Sequence, residues 1–196
     1  MQDSIGVIIL AAGAGSRFRQ AAGPDKDKLL ADCTGRDGGV RSVIEQVLVN
    51  LPAHLDKRVL VTREDRHQTV RMAQAYGCDC VELDSPGLGD SIAAGVQACP
   101  DLGGWLMVLG DMPFILPASI EQVAAGIRED GISVPVFAGE YGHPVGFGRA
   151  FASKLMALTG DRGAKALFAG ARVVEVPVDD PGVTWDIDVP EALVFK

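Results

Sequence analysis

The chain has 196 residues, 47% of them hydrophobic and 22% charged, an ordinary balance for one globular unit of about 100–200 residues. A formal net charge of −8 excludes the broad basic face that a phosphate backbone requires, so nucleic acid is not an expected partner. No run reaches the roughly 18–20 apolar residues of a membrane span, and the four cysteines (Cys33, Cys78, Cys80, Cys99) lack zinc or C-x-x-C spacing; a cytoplasmic protein with reduced thiols and no membrane partner is expected.

The first predicted element is a strand over Gly6–Leu10. Its apolar run is too short for a signal core and has Asp3, not a cation, before it. A glycine-rich loop follows, then two polar, turn-rich tracts at 21–27 and 34–39 around a short element at Lys28–Ala31. Val40, Val43, Ile44, Val47 and Leu48 repeat with helical period and predict a helix over Val40–Asn50. Strand Arg58–Val61, helix Glu64–Tyr76, strand Cys80–Leu83, helix Ser91–Cys99, strand Trp105–Leu109 and helix Pro117–Arg128 come next. This β-α alternation predicts a mostly parallel sheet covered on both faces. Ser133–Phe137 and Pro144–Phe147 then read as a hairpin, which adds an antiparallel part. Helices Ala150–Leu158 and Ala164–Phe168, strand Arg172–Pro177 and helix Pro190–Phe195 complete the chain. The expected fold is a single α/β domain over residues 1–196, a Rossmann-like three-layer sandwich.

The loop Leu10-Ala11-Ala12-Gly13-Ala14-Gly15-Ser16-Arg17-Phe18 leaves the first strand at its carboxyl end, where parallel sheets bind ligands. Small residues there let backbone N–H groups approach an anion. The loop is neither a P-loop nor a dinucleotide fingerprint, because Phe18 stands where each needs glycine. Its distinguishing feature is its cations: Arg17 lies within it, and Lys28, with Lys26 as a rival, follows. Such charges suit a triphosphate. Trp105–Leu109 reads as a buried strand ending in Gly110-Asp111, so Asp111 would sit near the loop if the two strands are neighbours. Mg²⁺ prefers one or two carboxylates completed by water and phosphate.

Together the loop, Lys28-Leu29-Leu30, Gly110-Asp111-Met112-Pro113, Gly142-His143-Pro144-Val145, Gly160-Asp161-Arg162-Gly163-Ala164-Lys165 and Asp186-Ile187-Asp188-Val189-Pro190-Glu191 resemble, in order, the MobA-like NTP transferases. The likeness is strongest to the molybdenum cofactor cytidylyltransferases, and it implies a nucleotide-diphospho-sugar transferase-like fold. It implies that Leu10, Ala11, Ala12, Gly13, Gly15, Ser16, Arg17, Lys28, Gly89, Ser91 and Gly110 bind nucleotide. Arg17, Lys28 and Asp111 would be catalytic, with Asp111 the principal Mg²⁺ ligand and Asp188, ranked above Asp186, the second. Asp188 also opens a capping-box pattern with Glu191, and Ser91 is a possible helix cap. His143, Pro144, Asp161 and Gly163 would line the acceptor pocket. Ala11-Ala12 goes with CTP, since the guanylyl branch carries Gly-Gly there.

The implied reaction transfers CMP from CTP to the phosphate of molybdopterin, with a molybdenum hydroxylase as a possible partner. Guanylyl transfer, or nucleotidyl transfer to another small phosphate, is a second reading. A non-catalytic cofactor carrier for such a hydroxylase is a third.

Overall fold

The computed structural model describes residues 4–84 and 86–196; Asp3 lies outside the described residues. In chain order the elements are β1 (Ile5–Leu10), α1 (Ser16–Ala22), β2 (Asp32–Thr34), β3 (Val40–Ser42), α2 (Val43–Asn50), β4 (Arg58–Arg63), α3 (His67–Ala75), β5 (Asp79–Leu83), α4 (Leu88–Ala98), β6 (Gly104–Leu109), α5 (Pro117–Ala125), β7 (Gly131–Phe137), β8 (Glu140–Tyr141), β9 (Val145–Gly148), α6 (Ala152–Met156) and β10 (Arg172–Pro177). Short 3₁₀ turns lie at Arg149–Phe151, Ala164–Phe168, Pro181–Thr184 and Pro190–Leu193.

The main sheet runs β10-β7-β9-β6-β1-β4-β5, with β8 hydrogen-bonded to β7. β1 lies between β6 and β4, parallel to both, while β9 runs antiparallel between β6 and β7. Alternate side chains enter opposite layers: Val7, Ile9, Leu106 and Val108 face one core, and Ile8, Trp105 and Met107 the other. Burial on both faces explains why β1 and β6 read as continuous apolar runs. α2 and α5 cover the first face, and α4 and α6 the second. The α/β mixed sheet is therefore as expected. The β7–β8 hairpin turns through Ala138 and Gly139, both at positive φ (50° and 83°), as a tight two-residue turn requires.

Several boundaries differ from expectation. α1 occupies part of the tract read as loop; only Phe18 of its seven residues is buried, so no apolar period marks it. The Val40–Asn50 helix starts at Val43. Its first three predicted residues form β3 instead, and Ser42 caps α2 by accepting from Glu45 N. The turn-rich tract at 34–39 is anchored as well as looped: Arg36 reaches inward to the carboxylate of Asp180, which is 1% exposed. Ala164–Phe168 and the last predicted helix are 3₁₀ turns. The Asp188–Glu191 capping box does not form, because Val189 is the cap residue there.

Candidate active site

The glycine loop leaves β1 and bends beside β4. Ala11 N donates to Val61 O at 2.8 Å, and Thr62 Oγ1 donates to Ala11 O at 3.2 Å. Gly15 takes φ 63°, a left-handed conformation that favours glycine, and starts α1. Gly13 has no such constraint. A Cβ there would meet nothing within 4 Å, so the site beside it is open. The N–H groups of Ala12, Gly13 and Ala14 donate to no backbone acceptor among the described residues. Amides in that state are available to an anion.

Pairing of β1 with β6 in the register Leu10↔Leu109 sets Asp111 next to this loop. Lys28 Nζ donates to Asp111 Oδ2 at 2.5 Å and lies 3.7 Å from Asp188 Oδ1. Arg17 donates to Asp188 Oδ2 at 2.6 Å. Lys26 is exposed and forms no ion pair among the described residues, so Lys28 is the cation that joins the carboxylates. Ile187 N donates to Asp111 O at 2.9 Å, which ties the C-terminal segment to β6. Asp111, Asp186 and Asp188 each present an oxygen within 4.8 Å of the others. Partial desolvation, and then the neighbouring Asp188 and Asp111, push the carboxyl of the exposed Asp186 above its usual range. Three convergent carboxylate oxygens without a nitrogen or sulfur donor fit a hard divalent cation such as Mg²⁺.

Two clefts open at these strand ends. One, of about 540 Å³, is lined by the loop residues Leu10–Ala14 with Lys28, Gly87, Ser91 and Asp111. The other, of about 500 Å³, is lined chiefly by Ile92, Met107, Val134, Val145, Phe147 and Phe168, with Tyr141, His143 and Lys165 as its polar side chains. Leu10, Leu88 and Leu109 line both, so the clefts adjoin. A larger hollow of about 700 Å³ lies at the amino ends of β1 and β6, away from this cluster. In parallel sheets ligands bind at the carboxyl ends, which sets it aside as the reaction site.

The model of the MobA-like NTP transferase domain matches residues 7–176 of this chain. The chain belongs to that family. Curated relatives of this MobA-like protein include the bifunctional protein GlmU of Kineococcus radiotolerans, 32% identical over 151 residues, 73% of this chain and 28% of that protein. GlmU of Cutibacterium acnes is 28% identical over 73% of this chain and 33% of its own length. The chain thus spans about a third of these relatives or less. Among solved structures, a nucleotidyl transferase from Methanothermobacter thermautotroptrophicus superposes with TM-score 0.82 at 21% identity, covering 96% of this chain and 94% of that one. Rv0371c of Mycobacterium tuberculosis gives 0.75 at 25%, covering 98% and 96%. Its complex with manganese gives 0.71 at 23%, covering 96% and 95%.

Within this MobA-like site the expected residues divide by position. Leu10, Ala11, Ala12, Gly13, Lys28, Ser91 and Asp111 line the first cleft. Gly15 and Ser16 stand at the start of α1, Gly15 against the Lys28 side chain, and line neither cleft. Gly89 and Gly110 are buried behind it as packing glycines, a Cβ at Gly89 falling 2.6 Å from Arg162 O and one at Gly110 3.1 Å from Leu10 O. Ser91 Oγ donates to Gly87 O inside α4, so it is not the cap of that helix. His143 and Gly163 line the second cleft, but Asp161 lines the first, because the 159–163 loop packs on the start of α4. Pro144 is buried behind a cis bond from His143 and lines neither cleft. His143 Nδ1 is buried without a hydrogen-bond partner, and burial outweighs the opposing pull of Asp111 to hold the imidazole pKa below its usual value.

Sequence reasoning missed Arg63, Leu88 and Arg66. The first two line the first cleft, and Arg66 donates to two carbonyls of its loop. Charge next to a strand's carboxyl end was the available signal for Arg63 and Arg66. The sequence pattern ranks Asp186 below Asp188, yet its carboxylate stands in the same cluster. His54 and His67 are exposed, as expected.

Proposed function

We propose that this protein transfers CMP from CTP to the phosphate of a pterin-type acceptor, molybdopterin or the molybdenum cofactor, and releases pyrophosphate. The observation that carries the reading is the junction of two unlike clefts beside one cluster of cations and carboxylates. The first cleft, with its open amides and Lys28, suits a triphosphate. The second is walled by aliphatic and aromatic side chains, which suits a flat heterocycle. Lys165 at its edge is a counter-charge for the acceptor phosphate, and the His143 imidazole is part of the wall against which a flat ring would pack. Ala11 and Ala12 narrow the nucleotide cleft and favour the smaller pyrimidine base.

The nucleophile is a phosphate-monoester oxygen, already ionised near neutral pH, so the chain need not supply a general base. Its residues align and neutralise. Loop amides and Lys28 hold the polyphosphate; Arg17 meets the charge that grows on the departing pyrophosphate. Asp111, with Asp188 and Asp186, would hold Mg²⁺, which would supply charge neutralisation at the phosphates. A molybdenum hydroxylase would receive the product.

A second reading, transfer to a sugar 1-phosphate, draws support from the GlmU relatives. A sugar needs many directional polar partners, and the acceptor cleft has few. Pyrophosphate release, measured for each of four NTPs against molybdopterin and sugar 1-phosphates with Mg²⁺, separates the two. CTP with molybdopterin should be fastest. Turnover only with a sugar 1-phosphate would replace the acceptor, and no turnover with any pair would end the catalytic reading in favour of a carrier.

A further inference from the structure

Arg66 lies three residues beyond β4, just before α3, and belongs to no phosphate-binding pattern. Its side chain is 8% exposed. One terminal nitrogen donates to Gly13 O at 2.7 Å; the other donates to Ala11 O at 3.3 Å and lies 3.7 Å from Asp27 Oδ1. The same Asp27 oxygen accepts from Leu29 N at 3.0 Å, fixing the backbone around Lys28. One guanidinium therefore clasps both segments of the polyphosphate site from behind. Its planar fork is suited to this, and a lysine ammonium is not.

We infer that Arg66 is a positioning residue for the polyphosphate, acting through the peptide planes of the glycine loop. In a trans peptide the carbonyl and the following N–H point in opposite directions. A carbonyl held toward Arg66 thus turns the N–H of Ala12, and likewise that of Ala14, away from it. Both residues line the cleft. Ala11 O has a second donor in Thr62, but Gly13 O has no other donor among the described side chains or turns. The Gly13–Ala14 plane depends on Arg66, and glycine at 13 gives that plane little stiffness of its own.

This inference rests on the nucleotide reading above, so its test includes a control on that reading. Affinities for CTP and for inorganic pyrophosphate, each with Mg²⁺, are measured by calorimetry on the wild type, Arg66→Lys and Arg66→Met, together with KM for CTP and for molybdopterin. Arg66→Lys should weaken CTP and pyrophosphate by the same factor, about tenfold, the effect of one lost charge-assisted hydrogen bond. Arg66→Met should weaken both further, and KM for molybdopterin should not move in either variant. Wild-type pyrophosphate affinity in Arg66→Lys overturns the inference. So does an equal loss for nucleotide and molybdopterin, or an Arg66→Lys protein that does not fold, since each makes the residue structural. If Arg66→Met alone fails to fold, Arg66→Lys carries the test. A wild type that binds neither CTP nor pyrophosphate brings down the nucleotide reading itself.

Discussion

Lys28 and Asp111 are partners with different exposures to water from the other charges in the cluster. Their side chains are 10% and 21% exposed, whereas Arg17 is 78% exposed, so screening leaves the Arg17–Asp188 pair little energy of its own. Asp111→Asn should keep the fold and lower turnover by about 10²–10³, the typical cost of one charge-stabilising group; near wild-type kcat with Mg²⁺ would remove Asp111 from the metal site. Lys28→Met should act in two opposed directions. Without the ammonium, the three carboxylates bind Mn²⁺ more tightly, by about three- to tenfold for a charge a few ångströms away in a half-solvated site. CTP binds more weakly, because its counter-charge is gone. Metal and nucleotide titrations that move together would contradict that placement of Lys28. His143 gives a pH test. Burial, against the pull of Asp111, holds its folded pKa below the ordinary 6.5, so the unfolded chain takes up the proton first. Stability is therefore full above about pH 6.5 and is lost as pH falls through the lower folded value. His143→Gln takes no proton and should lose less stability over that window in denaturant titrations; parallel losses would assign the acid sensitivity to another group. The meeting of these charges was partly legible, since Arg17, Lys28, Asp111 and Asp188 each stand in a small or apolar sequence context, and the structure joins them by ion pairs. Arg66 was not. Its meaning lies in two backbone carbonyls more than fifty residues away, and no side-chain pattern encodes those.

Elements with a buried face were readable from period alone, as α2 and β6 show: Val43, Ile44, Val47 and Leu48 are buried at helical spacing, and every residue from Gly104 to Val108 is buried. Elements that bury little were not. α1 buries only Phe18, and β2 and β3 have three residues each, too few for an alternation to register. The start of α2 did have a readable mark, since Ser42-Val43-Ile44-Glu45 is a capping signature. The start of α4 had none that periodicity could reach. It is fixed by close packing of two loops: a Cβ on Gly87 would stand 2.2 Å from Gly160 C and O, and Gly89 N donates to Gly160 O at 2.7 Å. The first turn of α4 so anchored carries Leu88, which lines both clefts. Gly89→Ala should therefore separate the two loops, cost about 1–3 kcal/mol of stability as overpacking does, and raise KM for CTP and molybdopterin together. That pattern contrasts with the nucleotide-only effect expected of Arg66. A Gly89→Ala enzyme with only its CTP KM raised would show that the loop serves one cleft alone.

Across the whole molecule, the site draws on the ends of β1 and β6, the start of α4 and the segment that follows β10, so it exists only when both apolar layers are in place. Ligands that need the assembled site bind the folded chain alone and stabilise it by mass action, about 2.7 kcal/mol at one hundred times Kd. For a chain of this size that corresponds to a Tm rise of roughly 5–10 °C. The ion pairs of the cluster make a sharper claim. Two cations face three carboxylates, and Lys28 and Arg17 are engaged with Asp111 and Asp188. They cannot serve those carboxylates and a triphosphate at full strength together. With a divalent ion on the carboxylates, Lys28 and Arg17 would be free to turn toward phosphate, and with both cations on phosphate the carboxylates would bind an ion more tightly. Binding of Mn²⁺ and of CTP should thus be cooperative, and by linkage each must favour the other equally. Melting curves with CTP and a chelator, with Mn²⁺ alone, and with both should give a joint shift larger than the two single shifts combined. In Asp111→Asn the excess should vanish while a residual shift with CTP remains, because the loop amides are untouched. Additive shifts in the wild type would mean that Lys28 and Arg17 do not exchange partners, and that they hold the carboxylates permanently as part of the fold.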